Sequence, residues 1–392
     1  IKIINARHEA GASNMAEAYG KLTGKPGIAY VTRGPGACHA SVGVHIAFQD
    51  STPMILLVGD ISRNVRDREA FQEVDFKRFF GPISKWVAEI NDPDRVPEYI
   101  NRAFSLATSG RPGPVVLVTP EDMLTQPTKA KVQSLNPIVK GEMPKKGLDT
   151  LIRKFTKSKR PLFIIGGSGW TDRSCDNFSN FVKKNSLPIT TSFRRQDLFD
   201  HKDKNYVGSF GTSVSPELIG SVADSDLIVV LGARLGEMTT NGYTTLSPQK
   251  HSKDMIHIHV DPSELNKVYN ADLCINIGVE ECCEKLKDVK LENSKRWQKW
   301  TNELRRNYEK DIKPTKNKIL NNLGNIFEIV EETLPKKSII TLDAGNNAAW
   351  PQRFLSYGRK RRQIATTCGS MGYAIPAAVS SALLSPEKTV LC

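Results

Sequence analysis

The chain alternates short apolar strands with amphipathic helices, and the strands repeatedly end in glycine-rich turns. Gly27 to Val31 leads to Gly34-Pro35-Gly36, Pro161 to Ile165 leads to Gly166-Gly167-Ser168-Gly169, and Leu227 to Leu231 leads to Gly232-Ala233-Arg234. Such alternation demands parallel strands joined by crossover helices that cover both faces. The expected class is α/β, with three doubly wound parallel-sheet domains. Ligand sites in such sheets lie beyond the carboxyl ends of the strands.

The first domain is expected over 1–125. Its strands are Ile28–Val31, Met54–Val58 and Val115–Thr119, and its helices Ala10–Leu22, Cys38–Phe48 and Val96–Ala107. A short apolar strand, Ile1–Ile4, is expected to run into the first helix. Residues 126–145 lose periodicity and gain Pro, Lys and Gln, which reads as a linker. A central domain follows over 146–285, with strands Pro161–Ile165, Leu227–Leu231 and Met255–Val260. A charged stretch, 280–318, reads as helical, with Trp297 and Trp300 on an apolar stripe packed against a domain. It supplies a helical linker over 286–320. The third unit, 321–392, has a strand at Ser338–Asp343, a small-residue helix at Ala377–Leu384 and a strand from Thr389. Both ends fall inside apolar runs, so the chain is expected to be an internal piece of a longer protein.

The 392 residues carry a net charge of +13. The excess is spread over helices and linkers without interleaved aromatics, as in Lys129-Ala130-Lys131. This reads as a solvated surface that attracts anions, not a nucleic-acid interface. Seven cysteines are scattered with no Cys-x-x-Cys spacing, which suits reduced thiols in a cytoplasmic protein. No apolar run approaches the roughly 20 residues of a membrane span, and the opening residues lack the secretory pattern.

Taken singly, the chemistry-bearing residues are ordinary. Glu9 at a helix start meets the helix dipole, Gly34-Pro35-Gly36 makes a turn, and Met371 could fill a core. Their order is not ordinary. Arg7-His8-Glu9 followed by Met15-Ala16-Glu17-Ala18-Tyr19, then Gly34-Pro35-Gly36, Phe71-Gln72-Glu73, Ser84-Lys85-Trp86 and Gly369-Ser370-Met371-Gly372, resembles the thiamine-diphosphate (ThDP) enzymes, specifically the acetolactate synthase (acetohydroxyacid synthase) group. The resemblance spans almost the whole chain. It implies a pyrimidine-binding domain, a central nucleotide-binding-like domain and the start of a diphosphate-binding domain.

In that family the glutamate matching Glu9 hydrogen-bonds N1′ of the aminopyrimidine, so that the 4′-amino group can act as base at C2. Burial would raise such a carboxyl and a helix N-terminus would lower it. The resemblance places Thr32, Pro35, Gly36, His39 and Gln72 around the pyrimidine and thiazolium. It places Asn346 and Asn347 by the diphosphate, Gly369 and Ser370 against the cofactor, and Met371 as the wedge that bends it. Phe71 and Lys85 would meet the substrate, a 2-keto acid anion. Gly166, Gly167, Ser168, Gly232, Arg234 and Asp261 would line a cleft for FAD or ADP, with Arg234 on a phosphate. The Mg²⁺ site, which begins with Gly-Asp-Gly, would follow Cys392, so this piece alone should be inactive.

The chain departs from the group at Arg33 (usually small), at His39 (commonly Asn), at Asn346-Asn347 (more often Gln and His) and over Ser192–Asp197 (usually small residues). The implied activity is decarboxylation of a pyruvate-like acid and carboligation to a second carbonyl. The alternatives are a ThDP decarboxylase or lyase without ligation, and a non-catalytic nucleotide-binding protein on the same fold. The implied assembly is a homodimer or homotetramer with the site between subunits, Glu9 serving a cofactor whose diphosphate the other chain holds. A regulatory subunit would suit the group; a nucleic-acid or membrane partner would not.

Overall fold

The structure is a computed structural model. It describes residues 2–132, 134, 136, 138–212, 214–248, 253–313 and 323–392. Ile1 of the expected first strand, positions 133, 135 and 137 of the expected linker, and the part of the expected helical linker from 314 to 320 lie outside the described residues.

One compact unit comprises residues 1–138 with 341–343 and 364–392. Its first sheet contains β1 (Gly27–Val31), β2 (Met54–Asp60), β3 (Trp86–Glu89) and β4 (Pro114–Pro120), all parallel, in the order β1-β2-β4-β3. All seven residues of β4 are buried, which is why the segment reads as a continuous apolar run. Helix α1 (Glu9–Thr23) starts at His8, whose side chain accepts the Ala10 N–H, and stops at Gly24 with φ of 70°. Helix α2 (Pro35–Asp50) begins with proline at its first position, where the missing N–H costs nothing. The core between them and the sheet holds Val31, Val44, Leu56 and Val116.

One expectation changes here, and one strand is added. Lys2 to Asn5 form no strand, and Ile3 is 82% exposed. Among the described residues they have no ladder partner, and an apolar run without one does not make a strand. Strand β3 has no sequence signature because only Ala88 of its four residues is buried and four are too few to show a period. Trp86 seats it by stacking on Tyr99.

The other unit comprises 139–340 with 344–363. It holds β5 (Pro161–Ile165), β6 (Ile189–Thr191), β7 (Tyr206–Ser209), β8 (Leu227–Leu231), β9 (Asp254–His259) and β10 (Leu273–Asn276), in the order β10-β9-β8-β5-β6-β7. The strand order reverses between β5 and β8, which makes that pair the topological switch point. The three strands read from sequence are the buried middle of this sheet. The three unread ones, three or four residues each, flank them.

The charged stretch from 280 is not one continuous helix. Helices Val279–Leu286 and Gln298–Asp311 are separated by Asn293 at φ of 51° and a short 3₁₀ turn. The break lets Leu291 enter the core, where its N–H donates to Asn185 Oδ1 at 2.7 Å. Trp297 and Trp300 are buried against the central sheet and donate their indole N–H groups to the carbonyls of Ser158 and Pro161, each at 3.0 Å.

A third sheet has β11 (Ser338–Leu342), β12 (Arg361–Ala365) and β13 (Thr389–Leu391), ordered β12-β11-β13. Helix Ala374–Leu384 follows the Met371 turn. No helix among the described residues is long and apolar enough to cross a membrane. All seven cysteines are free thiols.

Candidate active site

Glu9 is the first residue of α1, at the carboxyl edge of the first sheet. Its Oε2 lies 3.0 Å from His39 Nδ1 on α2, and the side chains are 35% and 50% exposed. His8 stacks on His39 with ring centroids 4.5 Å apart. The Glu9 carboxyl is held below its usual range, first by its own backbone N–H at the helix start, then by the bond to His39, against a small opposing effect of burial. Of the two opposing influences expected on this acid, the helix N-terminus prevails. His8, Glu9 and His39 offer three metal-donor atoms within 4.8 Å of one another, but the bond between Glu9 and His39 already assigns those two groups to each other.

The turn after β1 passes beneath this carboxylate. A Cβ on Gly36 would stand 2.7 Å from Thr32 Cγ2 and 3.5 Å from Glu9 Oε1, so only glycine leaves the backbone open there. Gly34, at φ of 49°, packs on Gln72; a Cβ there would fall 2.8 Å from Gln72 Cβ. Gln72 itself adopts φ of 68°. Its loop is tied by Glu73, which accepts the N–H groups of Asp67 and Ala70. Glu9, Thr32, Pro35, Gly36, His39 and Gln72 thus share one edge of the sheet. Phe71, beside Gln72, is 78% exposed.

Two residues are directed elsewhere. Arg33 donates to Glu121 Oε2 at 2.5 Å and to the Asp60 carbonyl, so it binds the ends of β2 and β4. Lys85 precedes β3, at the amino edge of the sheet, and its ammonium donates to the carbonyls of Leu106 and Ser109 at 2.5 and 2.6 Å. Within this chain Lys85 completes a helix end and does not join the Glu9 cluster.

The Met371 turn is tightly held. Gly369 and Gly372 have φ of 71° and 77°. Asp343, unread from the sequence, accepts the N–H groups of Gly372, Tyr373 and Ala374 at 2.7–2.9 Å, starting the next helix. An acid directly after a buried strand was the available signal. Met371 is left 80% exposed, and Ser370 donates to its carbonyl at 3.2 Å. Asn346 and Asn347 open a 3₁₀ turn after Gly345 and are exposed.

At the carboxyl edge of the central sheet, Gly166, Gly167 and Ser168 follow β5, Gly232 and Arg234 follow β8, and Asp261 follows β9. The first two groups flank the switch point. A Cβ on Gly167 would fall 1.9 Å from the Gly232 carbonyl, and one on Gly166 equally close to Ser192 Oγ. Packing of turn on turn therefore requires these glycines, whatever binds there. Asp261 caps the turn that follows it, accepting from Ser263. Phe193 and Arg194 are buried beside β6.

An acid thus lies over an open glycine turn at one sheet edge, and an exposed methionine sits on a second turn. Three thiamine pyrophosphate enzyme family models match the chain: the N-terminal TPP-binding domain over residues 1–79, the central domain over 148–286 and the C-terminal TPP-binding domain over 343–392. Acetolactate synthase large subunits from Buchnera aphidicola of Acyrthosiphon pisum and of Schizaphis graminum are 30% and 29% identical over all of this chain, which covers 70% of each. That of Lactococcus lactis is 29% identical, with 68% covered. The chain belongs to the acetolactate synthase large-subunit family of ThDP-dependent enzymes.

Proposed function

We propose that the chain forms the cofactor-activating and cofactor-bending parts of a carboligase that joins a decarboxylated 2-keto acid to a second carbonyl. The observation that carries this reading is the open backbone of Gly36 beside the Glu9 carboxylate. A side chain there would fill the space a planar heterocycle needs. Bound ThDP would supply the electron sink for loss of carbon dioxide.

The residues divide the work. Glu9 holds or yields a proton at its carboxylate, facing the ring nitrogen. His39 orients that carboxylate, and Thr32, Pro35 and Gln72 shape the wall around it. Met371 supplies apolar bulk without charge. Gly369, beside Ser370, would offer its backbone N–H to a diphosphate, which a hard cation such as Mg²⁺ would accompany. The positive net charge favours approach of an anionic acid. Phe71, large and exposed, is proposed to contact substrate, and Lys85 to act on it only across an interface. Homodimer or homotetramer assembly, a regulatory partner and a cytoplasmic setting belong to the same proposal.

A nucleotide at the switch point of the central sheet is proposed on narrower ground, the position of Arg234 and Asp261 at adjacent strand ends. Flavin titration followed by fluorescence quenching tests it. Saturable quenching that Arg234→Ala weakens supports it, and no quenching rejects it.

The main test is a product assay on the full-length protein with ThDP, Mg²⁺ and pyruvate, alone and with 2-ketobutyrate. The expected products are acetohydroxyacids, with Glu9→Gln lowering turnover at least about 100-fold, the low end for loss of a proton-transfer group. Acetaldehyde alone would replace the reading with a simple decarboxylase. No ThDP-dependent turnover would leave a nucleotide-binding protein.

A further inference from the structure

Beyond Glu9, helix α1 carries two more charged groups, Glu17 and Lys21, one turn apart, with side chains 0% and 6% exposed. Asp50, at the end of α2, is 3% exposed, and Tyr373 is fully buried. These four groups meet. The Lys21 ammonium lies 3.0 Å from Glu17 Oε1 and 2.5 Å from Asp50 Oδ2, and donates to the Ala365 carbonyl at 2.8 Å. Glu17 accepts the Tyr373 hydroxyl at 2.5 Å and the Thr52 hydroxyl at 2.7 Å. Asp50 Oδ1 accepts the backbone N–H of Thr367 at 2.9 Å and also its hydroxyl.

Burial pulls the Lys21 pKa down, but Asp50 and Glu17 more than reverse that, so it stays an ammonium. Burial, reinforced by the Glu17 charge, holds Tyr373 as a phenol well above its usual range. Buried ionic groups seldom stabilise more than an apolar filling would, and a geometric role is the better account of them. Here the geometry is specific. The turn bearing Met371 is tied at Thr367 to Asp50 and at Tyr373 to Glu17 and Asp343. Met371 projects from between those ties. Glu9 lies on the same helix as Lys21, about 18 Å away at 1.5 Å per residue.

We propose that Lys21, Glu17, Asp50 and Tyr373 are positioning residues that lock the turn carrying Met371 onto the helix carrying Glu9. The proposal rests on the functional reading above. Under it, Glu9 and Met371 of one chain face two copies of the cofactor at symmetric interfaces. The joint then fixes the spacing of two half-sites on one subunit. Substrate binding itself is not its task.

The test uses the full-length protein with ThDP and Mg²⁺. It measures exchange of the cofactor C2 proton with D₂O, the KM for ThDP and for pyruvate, and thermal melting, in Tyr373→Phe, Thr367→Val, Lys21→Met and Lys21→Arg. Tyr373→Phe and Thr367→Val remove single hydroxyls and keep volume, so folding is retained if Lys21→Met unfolds. C2 exchange and kcat should fall at least tenfold in Tyr373→Phe, with the pyruvate KM within about twofold. Lys21→Arg should recover much of what Lys21→Met loses. Folded variants with unchanged C2 exchange overturn the joint while leaving the functional reading intact. No C2 exchange in the unaltered protein overturns that reading, and the joint with it.

Discussion

His39 Nδ1 lies 3.0 Å from Oε2 of Glu9, so the acid that opens α1 is tethered to the second turn of α2. The tether lowers the Glu9 pKa, together with the backbone N–H at the helix start. Replacing His39 with Asn, the residue more usual in the group, should move Glu9 titration upward, toward its ordinary range. Carboxyl-selective NMR over a pH series, on the cofactor-free protein, would show it. An unmoved titration would mean that the helix start alone sets this acid. The sign follows from the lowered folded-state value: stabilisation from ionised Glu9 is present at neutral pH and lost as pH falls through that value.

Gly34→Ala should destabilise the first unit by about 1–3 kcal/mol, because an L side chain at positive φ is strained. The new Cβ would also press on Gln72, 2.8 Å from its Cβ and 2.9 Å from its carbonyl. A drop in melting temperature is the readout, and a Gly34→Ala protein as stable as the parent would contradict the packing described.

His201 offers a pH test in the second unit. Burial drives its pKa down to about 3, against a hydrogen bond with the Gln196 carbonyl. It stacks on Tyr206 with centroids 4.0 Å apart. In the unfolded chain the same imidazole titrates near 6.5. Below that pH the unfolded state takes a proton the folded state refuses, so stability should fall from pH 6.5 toward 3. His201→Phe should flatten this part of the profile in melts at pH 7, 6, 5 and 4. A slope the substitution leaves untouched would assign acid lability elsewhere.

Asp343→Ala removes the acceptor for three backbone N–H groups at the start of helix Ala374–Leu384. The expected cost is about 1–2 kcal/mol, as for loss of a helix cap. Asp343→Asn, which keeps a carbonyl oxygen, should recover part of it. Hydrogen exchange at Gly372, Tyr373 and Ala374 would report both variants, and equal protection in all three proteins would deny Asp343 this role.

The central strands could be read because they are uninterrupted apolar runs: Pro161–Ile165 and Leu227–Leu231, buried throughout, agree to the residue. Short flanking strands such as Ile189–Thr191 and Leu273–Asn276 could not. Three or four residues contain no period, and pairing alone defines them. Lys2–Asn5 fails for the opposite reason, a pattern without a partner. In the site, the acid, the glycine turn and the methionine turn were legible from their residue types and order. The partners of Glu9 were less so: His39 stands out as a departure from the group, but its bond depends on how α1 and α2 pack. Glu17 and Lys21 show helical i, i+4 spacing in the sequence, yet that spacing usually marks a solvated pair. Only the fold reveals that Asp50 and Tyr373 close over them.

The anchoring of the Met371 turn at Thr367 and Tyr373 has a consequence for how this region can vary. The five residues from Cys368 to Gly372 lie between two fixed posts. Substitutions there can alter what the turn presents while its posts hold its position. An insertion or deletion of one residue cannot be absorbed, since it must release either Thr367 from Asp50 or Tyr373 from Glu17. Outside its two left-handed glycines, the segment is free in its lettering and fixed in its length.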